Sequence, residues 1–290
     1  MNYRIEKDGL AVCIDDAGAQ LTSVCWQDRE YLWQGDPAYW SDQSLLLFPY
    51  VGRFTEGKYT LDQKEYPMDI HGFAKDSAFS VCASEEGRIV FGLRDNEETL
   101  SVYPFHFDLS VTYEINGNTL HVSYDVQNRS EGTMYFGIGG HPGFKVPLEE
   151  DLSFEDHYLK FSHPHLPSRV GHTPACFLSG IDTDFPLEHG MVLPLHHEMF
   201  DDDAIVLKNV ADTVTLKADG STHSVTMHYP GLPYLGLWHA PRTDAPYICI
   251  EPWSSLPSRQ DVIEDLACKS DLIRLTAGST YHTGWSMTLR

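Results

Sequence analysis

The chain has 290 residues, with 42 acidic side chains against 20 basic ones and a net charge of −22 at pH 7. This charge disfavours nucleic acid as a partner, because a nucleic-acid footprint needs a basic face. Hydrophobic residues make up 42% of the chain, which supports a substantial core and excludes a largely disordered protein. Length and charge together fit a protein that handles neutral small molecules.

The N-terminal residues and the cysteines bear on the cellular compartment. Residues 1–8 enter a polar, strand-like pattern without the apolar core of a signal peptide. No apolar run approaches the roughly 20 residues that span a bilayer. The six cysteines are scattered, with no C-x-x-C pair and no zinc-type spacing. We therefore expect a cytoplasmic monomer or homodimer with reduced thiols, no membrane contact and no metal site.

In chain order, the dominant hydrophobic period is two, which predicts β-strands. Residues 10–14 alternate between apolar and polar side chains, as do residues 285–289. Asn116-Gly117 and Asp219-Gly220 each separate two alternating segments, and this pattern predicts two β-hairpins. Helical periodicity is poor, and the best helical candidate is the short segment 261–272. These signals predict an all-β protein.

The spacing of the predicted strands indicates how the chain is organised. Short strands are separated by turns rich in glycine, proline, asparagine and aspartate, which is typical of an antiparallel sandwich or barrel. No low-complexity linker divides the chain, and no repeat at a fixed period points to a propeller. We expect residues 1–290 to form a single domain.

The segment from Gly137 to Pro147, GIGGHPGFKVP, is the most informative part of the chain. Its glycines allow unusual backbone angles, and Pro142 fixes φ, so the backbone there is tight. His141 lies in its centre, and an imidazole with a pKa of about 6.5 exchanges protons near neutral pH. The alternative is a turn histidine that merely faces water.

Two further segments offer polar groups in unusual surroundings. In LFPYVGRF, Pro49 and Gly52 break the strand before Arg53, which fits either a structural ion pair or a ligand contact. His71 precedes a glycine in DIHGFAK, a setting similar to that of His141. With 15 histidines in the chain, most must be incidental, and only this context favours His71.

A third and a fourth segment supply carboxylates. Glu251 ends the apolar run ICIEPW, where desolvation would raise its pKa and make it a better base. The adjacent Trp253 fits stacking on a sugar ring, and Trp238 offers further aromatic surface. Residues 201–203 are three aspartates before a strand, and neighbouring strand residues point to opposite faces. A shared metal ion is therefore not expected there.

These segments, in this order and over nearly the whole chain, resemble the aldose 1-epimerase (galactose mutarotase) family. The similarity is greatest to the bacterial branch associated with lactose and galactose operons. The resemblance implies a galactose mutarotase-like β-supersandwich with a carbohydrate pocket on one sheet face and no cofactor. The elements that carry the resemblance are Phe48-Pro49-x-x-Gly52-Arg53, His71-Gly72-Phe73-Ala74, Gly139-Gly140-His141-Pro142 and Glu251-Pro252-Trp253.

The same resemblance implies roles for individual residues. His141 would be the general acid and Glu251 the general base of sugar-ring opening. Sugar hydroxyls would be bound by Arg53, by His71 and by one aspartate, either Asp202 or Asp203. Trp253, interpreted above as a stacking residue, completes the expected substrate-binding set.

Three other functions remain open. A hexose-6-phosphate epimerase of the same fold would need a cationic pocket. The candidates for one are Lys75, Lys145, Arg242 and Arg259. A non-catalytic carbohydrate-binding protein would rely on aromatic side chains and would lack turnover. A glycoside hydrolase would need two carboxylates around the scissile bond. Only Glu251 has an evident site context, so this alternative ranks last.

Overall fold

The computed structural model describes residues 1–290 and consists mainly of β-strands. The first twelve strands are β1 Asn2–Lys7, β2 Leu10–Asp15, β3 Gln20–Trp26, β4 Arg29–Glu30, β5 Ser44–Leu47, β6 Lys58–Leu61, β7 Lys64–Pro67, β8 Ser80–Glu85, β9 Arg88–Arg94, β10 Phe107–Asn116, β11 Thr119–Asn128 and β12 Met134–Phe136. The other twelve are β13 Gly139–Lys145, β14 His157–Phe161, β15 Ser168–Arg169, β16 Thr183–Asp184, β17 Val192–Pro194, β18 Ile205–Lys208, β19 Thr213–Ala218, β20 Ser224–His228, β21 Tyr234–Trp238, β22 Tyr247–Trp253, β23 Ile273–Leu275 and β24 Thr280–Leu289.

Helical structure is confined to short segments between strands. One α-helix, α1, spans Glu97–Val102. The 3₁₀ turns are Thr55–Gly57, Ala74–Asp76, Phe154–Asp156 and His197–Phe200. Every pairing between the named strands is antiparallel. The predicted all-β antiparallel class is thereby confirmed.

Two large sheets dominate the architecture. One has nine strands in the order β17-β14-β19-β20-β24-β11-β10-β9-β8, and the other has seven in the order β16-β15-β18-β21-β22-β13-β5. Leu109 of β10 and Ile250 of β22 belong to the same cluster of 65 buried residues. One face of each large sheet therefore contributes to a common core, as in a β-sandwich. A four-stranded sheet, β1-β2-β3-β4, adds to this core at the N-terminus.

The side chains of β22 point alternately to the two faces of the sheet, so this strand contributes both to the core and to the candidate site. Ile248 and Ile250 point into the common core. Cys249 and Trp253 belong to two separate small clusters on the opposite face. Because strand side chains alternate between faces, Glu251 lies on that opposite face as well. The seven-stranded sheet thus buries one face in the core and presents the other to a cavity.

The local predictions from the sequence have mixed outcomes. Both hairpins are confirmed, because β10 pairs with β11 and β19 pairs with β20. The helix predicted at 261–272 is wrong. The amide of Leu266 donates to Thr60, and the side chain of Asp265 accepts from the amide of Ala267 at 2.9 Å. These bonds to a strand and to a side chain replace most of the i to i−4 bonds that a helix needs, and only one bond of that kind forms, from the amide of Lys269 to the carbonyl of Asp265.

The main core cluster extends from Ile5 to Leu289. This continuity is consistent with a single domain over residues 1–290, which stays a prediction. None of the helices combines the length and the apolar character needed to cross a membrane.

Candidate active site

Backbone hydrogen bonds join the first two motif segments. The carbonyl of Phe48 accepts from the amides of Phe73 and Ala74, each at 3.1 Å. The amide of His71 donates to the carbonyl of Gly52 at 2.8 Å. The loop that carries Arg53 and the loop that carries His71 are therefore held side by side.

The remaining two segments attach to this pair of loops. The amide of Gly137 donates to the carbonyl of Pro49 at 2.7 Å. The amide of Ile138 donates to the hydroxyl of Ser254 at 2.7 Å, and the amide of Ser254 donates back to the carbonyl of Ile138 at 2.9 Å. All four motifs singled out in the sequence thus meet at one end of the seven-stranded sheet.

His141 and Glu251 form a buried pair across neighbouring strands. β13 and β22 pair with Gly139 opposite Trp253, and this register sets His141 opposite Glu251. The imidazole Nε2 lies 3.2 Å from the carboxylate Oε2. His141 is 8% exposed and Glu251 is 1% exposed. The imidazole Nδ1 has no hydrogen-bond partner in the protein, so it is available to a ligand.

Burial shifts the pKa of both members of the pair toward the uncharged form. It lowers the pKa of His141 to about 4, although the negative charge of Asp203 opposes this shift. It raises the pKa of Glu251 well above that of an ordinary carboxyl, and Asp203 adds to this shift. The pair therefore holds one proton over a wide pH range. Shifts of this kind are typical of catalytic sites.

Aromatic rings form one side of the cavity around the pair. The ring of Trp40 lies 4.9 Å from the imidazole of His141, and that of Trp238 lies 5.7 Å from it. Trp253 also lines the cavity, and its indole Nε1 is buried without a partner. Gly236 makes room for this indole, since a Cβ there would lie 2.8 Å from Cζ2 of Trp253. These rings offer apolar surface beside the buried pair of His141 and Glu251.

Arg53 and His71 form the polar side of the cavity. The Nδ1 of His71 accepts a hydrogen bond from the amide of Gly52 at 3.1 Å, so the proton of the neutral ring lies on Nε2. Burial lowers the pKa of His71 well below its usual range, and the neighbouring His141 adds to this shift. His71 is therefore a neutral donor. The guanidinium of Arg53 lines the same cavity as a cation.

Both candidate aspartates line the cavity. Asp202 is exposed, whereas Asp203 is partly buried. Oδ2 of Asp203 accepts a hydrogen bond from the Cys176 thiol at 3.2 Å. The charge of Asp203 also acts on the pKa of both His141 and Glu251. Asp203 is therefore the aspartate that is coupled to the buried pair.

The cavity has a volume of about 330 Å³, within the range of small-molecule sites. It brings together every site residue predicted from the sequence: Arg53, His71, His141, Asp202, Asp203, Glu251 and Trp253. Sequence reasoning missed Trp40, His172 and Cys176, which also line it. They lie in loops without a motif, and only the folded chain brings them to the cavity.

The four basic residues considered for a phosphate pocket lie outside this cavity: Lys75, Lys145, Arg242 and Arg259. Lys75 pairs with Asp76, and Arg259 makes two hydrogen bonds of 2.9 Å to the carboxylate of Glu264. Arg53 is the one lysine or arginine that lines the cavity. The cavity therefore offers little positive charge to a phosphate.

One group of donors could hold a metal ion. The ligand atoms of His141, Cys249 and Glu251 lie within 4.8 Å of one another. Burial raises the pKa of the Cys249 thiol well above its usual range, and Glu251 adds to this shift. The donors therefore favour their uncharged forms, whereas a metal needs the thiolate and the carboxylate. The absence of a resident metal stays a prediction.

The fold and the cavity define a class of protein, the galactose mutarotase-like β-sandwiches, to which solved structures of high similarity belong. The family model for aldose 1-epimerase matches residues 1–263. The chain belongs to the aldose 1-epimerase family, an isomerase family of carbohydrate metabolism.

Individual relatives match over the full length. The chain is 30% identical to the plasmid-encoded protein LacX of Lactococcus lactis subsp. lactis, with 100% of this chain and 99% of that protein covered. A galactose mutarotase related enzyme from Lactobacillus acidophilus has a TM-score of 0.95 and 34% identity, covering 100% of this chain and 97% of its own. A galactose mutarotase-like protein from Lactobacillus casei ATCC 334 has a TM-score of 0.93 and 33% identity, with both chains fully covered at 100%. The expected family and its lactose-associated branch are thereby confirmed.

Proposed function

We propose that the protein is an aldose 1-epimerase that interconverts the α and β anomers of an unphosphorylated aldohexose. The observation that carries this proposal is the buried contact of 3.2 Å between His141 and Glu251 in the cavity. Mutarotation removes the proton from O1 and protonates the ring oxygen O5, so that the C1–O5 bond breaks. Rotation about C1–C2 and reclosure then give the other anomer.

The geometry of the pair suits this reaction. O1 and O5 are bonded to the same carbon, so an acid and a base in contact with each other can reach both oxygens. Glu251 would take the proton of O1, and His141 would deliver a proton to O5. The two roles reverse when the ring closes. The pKa shifts favour the single proton of the pair on Glu251 in the empty cavity, so this proton must pass to His141 across the 3.2 Å contact before Glu251 can take the proton of O1.

The surrounding side chains support a sugar as the substrate. The neutral His71 offers an N–H, Arg53 offers a charged donor, and Asp203 offers an acceptor to ring hydroxyls. Such directional hydrogen bonds fix the orientation of a ring. Trp40 and Trp253 provide apolar surface for its carbon face. Together they would hold C1 over the acid–base pair.

A polarimetric assay with freshly dissolved α-glucose and α-galactose tests the proposal. His141→Asn and Glu251→Gln should keep the fold and lose about 10²–10⁴-fold in kcat, the usual contribution of a positioned acid or base. Arg94→Ala is the control, since Arg94 is an exposed residue of the opposite sheet, where it pairs with Asp108. Near wild-type rates in either variant would remove that residue from the mechanism.

A non-catalytic carbohydrate-binding protein is the main alternative. It would bind sugars through the cavity tryptophans, and binding would survive both substitutions. The decisive result is the wild-type rate: sugar binding without any acceleration of mutarotation would replace the epimerase by a binding protein. The unpartnered Nδ1 of His141 and the buried contact between His141 and Glu251 favour the catalytic function, because stacking alone requires neither.

A further inference from the structure

A buried ion pair lies in the segment 261–272, outside the cavity. Lys269 is 5% exposed, and its Nζ lies 2.5 and 2.7 Å from the two carboxylate oxygens of Asp271. Neither residue lines the cavity that holds the candidate site. Burial lowers the pKa of Lys269, although the negative charge of Asp271 opposes this shift. The proposed mechanism leaves both charges without a role.

Stability alone does not account for an ion pair at such a position. Both charges lose their hydration, and their mutual attraction repays that loss only when the geometry is close and further hydrogen bonds form. Apolar side chains of similar volume are often equally stable or more stable there. The contacts that the two side chains make with other segments therefore indicate what the pair does for the molecule.

Asp271 holds the segment that follows Trp253. Its Oδ2 accepts a hydrogen bond of 2.6 Å from the amide of Leu256. Pro257, the next residue in the chain, lines the cavity. It packs closely on Gly52, because a Cβ at Gly52 would lie only 2.5 Å from Cγ of Pro257. Asp271 therefore fixes the backbone that sets Pro257 against Gly52.

The turn that begins at Gly52 carries part of the polar side of the cavity. The amide of Gly52 donates to Nδ1 of His71 at 3.1 Å, and this bond fixes the tautomer of the ring. The carbonyl of Arg53 accepts from the amide of Ser258 at 3.0 Å. The amide of Thr55 donates to the hydroxyl of Ser258 at 2.7 Å. The backbone on both sides of Arg53 is thus anchored to the segment that the buried carboxylate holds.

Lys269 contacts the same turn directly. Its Nζ lies 5.6 Å from the centroid of the Tyr50 ring, which is within the distance of a cation–π contact. The Tyr50 ring stacks on that of Phe54, with centroids 3.6 Å apart. Tyr50 precedes Arg53 in the chain and Phe54 follows it. The ammonium group therefore packs against the two rings that close the turn.

We propose that Asp271 is a positioning residue for Arg53 and His71, and that Lys269 holds its carboxylate in place. This inference rests on the proposed function, in which Arg53 and His71 bind hydroxyl groups of the sugar. Asp271 acts through the amide of Leu256 and touches neither the sugar nor the reacting atoms. Without it, Arg53 and His71 would lose their orientation, whereas the acid–base pair would keep its own.

Two double variants separate the hydrogen bond to Leu256 from the stability of the ion pair. Both replace Lys269 by methionine, so that no charge is left buried without its partner. Lys269→Met with Asp271→Asn keeps an oxygen that accepts from the amide, whereas Lys269→Met with Asp271→Leu removes the acceptor. In the polarimetric assay with glucose and galactose, the leucine variant should raise KM about three- to ten-fold, the effect of losing one hydrogen bond. Its kcat should stay within about two-fold of wild type.

The asparagine variant should restore KM to within about two-fold of wild type. An ion pair that only stabilised the fold would not produce this difference between the two variants. Arg94→Ala, which breaks an exposed ion pair with Asp108, is the control and should change neither kinetic constant. If leucine at position 271 prevents folding, Lys269→Met with Asp271→Ala provides the same comparison, since alanine removes the acceptor without adding volume.

An unchanged KM in the variant without the acceptor would overturn the positioning role, and so would an equal rise in both double variants. A change confined to kcat would overturn it as well, because it would place the effect on the acid–base pair. Sugar binding, followed by the fluorescence of the three cavity tryptophans, gives the same comparison without turnover. No turnover by the wild type would refute the proposed function, while the difference in binding between the two variants would still decide the role of Asp271.

Discussion

Burial is the one physical effect that shifts the pKa of both His141 and Glu251 in the candidate site. Burial disfavours the charge of each group, so it lowers the pKa of the imidazole and raises that of the carboxyl. Neither group gains stability from its position, because burying an ionisable group without a compensating opposite charge costs free energy of folding. Groups held in such positions are typical of sites where stability is exchanged for function.

The single proton of this pair predicts the pH dependence of catalysis. The pKa of His141 is lowered to about 4, and that of Glu251 is raised well above the ordinary value. A second proton therefore enters the pair only near pH 4, and the first leaves well above that. We expect kcat/KM to be flat around neutrality and to fall on the acid side near pH 4. Initial rates by polarimetry, with the uncatalysed rate subtracted at each pH, check this. An acid limb near 6.5, the ordinary pKa of histidine, would contradict it.

A stability measurement can isolate the cost of burying Glu251. Its pKa is higher in the folded chain than the value of about 4.3 expected in the unfolded chain. The stability that comes from proton uptake is therefore complete below about pH 4.3 and is lost as the pH rises toward the folded pKa. Glutamine does not ionise, so the Glu251→Gln variant should not lose this stability as the pH rises. We expect its Tm to exceed that of wild type at pH 8 by about 2–4 °C for each kcal/mol regained, and the difference to shrink toward pH 5.

Glu264 provides the matched control for this measurement. It is also buried, at 4% exposure, but it is paired with Arg259. Burial opposes its ionisation, yet the hydrogen bonds and the charge of Arg259 outweigh that effect and lower its pKa. Glu264→Gln should therefore lower the Tm at pH 8. If the two glutamine variants shift the Tm in the same direction, the account of Glu251 is wrong.

The buried thiol beside the pair leads to a prediction about metals. His141, Cys249 and Glu251 are close enough to share an ion, but burial favours their uncharged forms. The proposed chemistry uses a proton on His141 or Glu251, and a cation bound to these two side chains would displace that proton. Dialysis against EDTA should leave the mutarotation rate unchanged. A loss of rate that is restored by zinc would assign the trio as a metal site.

Among the secondary-structure elements, individual strands and hairpins can be predicted from the sequence better than the pairing of strands that are distant in the chain. The alternation of residues 10–14 and the two hairpin turns are visible in the sequence, because each depends on neighbours in the chain. The pairing of β13 with β22 joins segments about a hundred residues apart, and no local pattern encodes it. Segment 261–272 failed as a helix for the same reason, since strand β6 captures its backbone hydrogen bonds.

A glycine in β21 tests whether the sheet positions the aromatic wall. Gly236 lies opposite Glu251 in the sheet, and a Cβ there would lie 2.8 Å from Trp253 and 3.2 Å from Cβ of Glu251. Gly236→Ala should displace both side chains, lower kcat and destabilise the fold by about 1–3 kcal/mol, the usual cost of overpacking. Gly132→Ala is the control, because nothing lies within 4 Å of a Cβ there. Wild-type activity and Tm in both variants would show that the indole adapts freely.

The fold of the whole molecule bears on two questions that the motifs alone left open: which aspartate lies near the buried pair, and whether a phosphate pocket exists. Most of the residues that the folded chain brings to one cavity could be selected from the sequence, because each of the four motifs is short and contiguous. The sequence did not distinguish Asp202 from Asp203, since the choice depends on how their loop turns toward Cys176. It also left a phosphate pocket open, because the partners of Lys75 and Arg259 are not evident until the chain is folded.

The net charge of −22 gives the last prediction, which concerns the substrate. A strongly negative molecule repels a sugar phosphate at long range, and the cavity that holds His141 and Glu251 has only Arg53 to offset this field. We expect kcat/KM for glucose and galactose to exceed that for their 6-phosphates by at least about ten-fold, the effect of about 1.4 kcal/mol. Raising the salt from 0.01 to 0.15 M shortens the screening length from about 30 to about 8 Å, so the difference should narrow. A preference for the phosphates that weakens with salt would instead identify a cationic phosphate site and replace the unphosphorylated hexose as substrate.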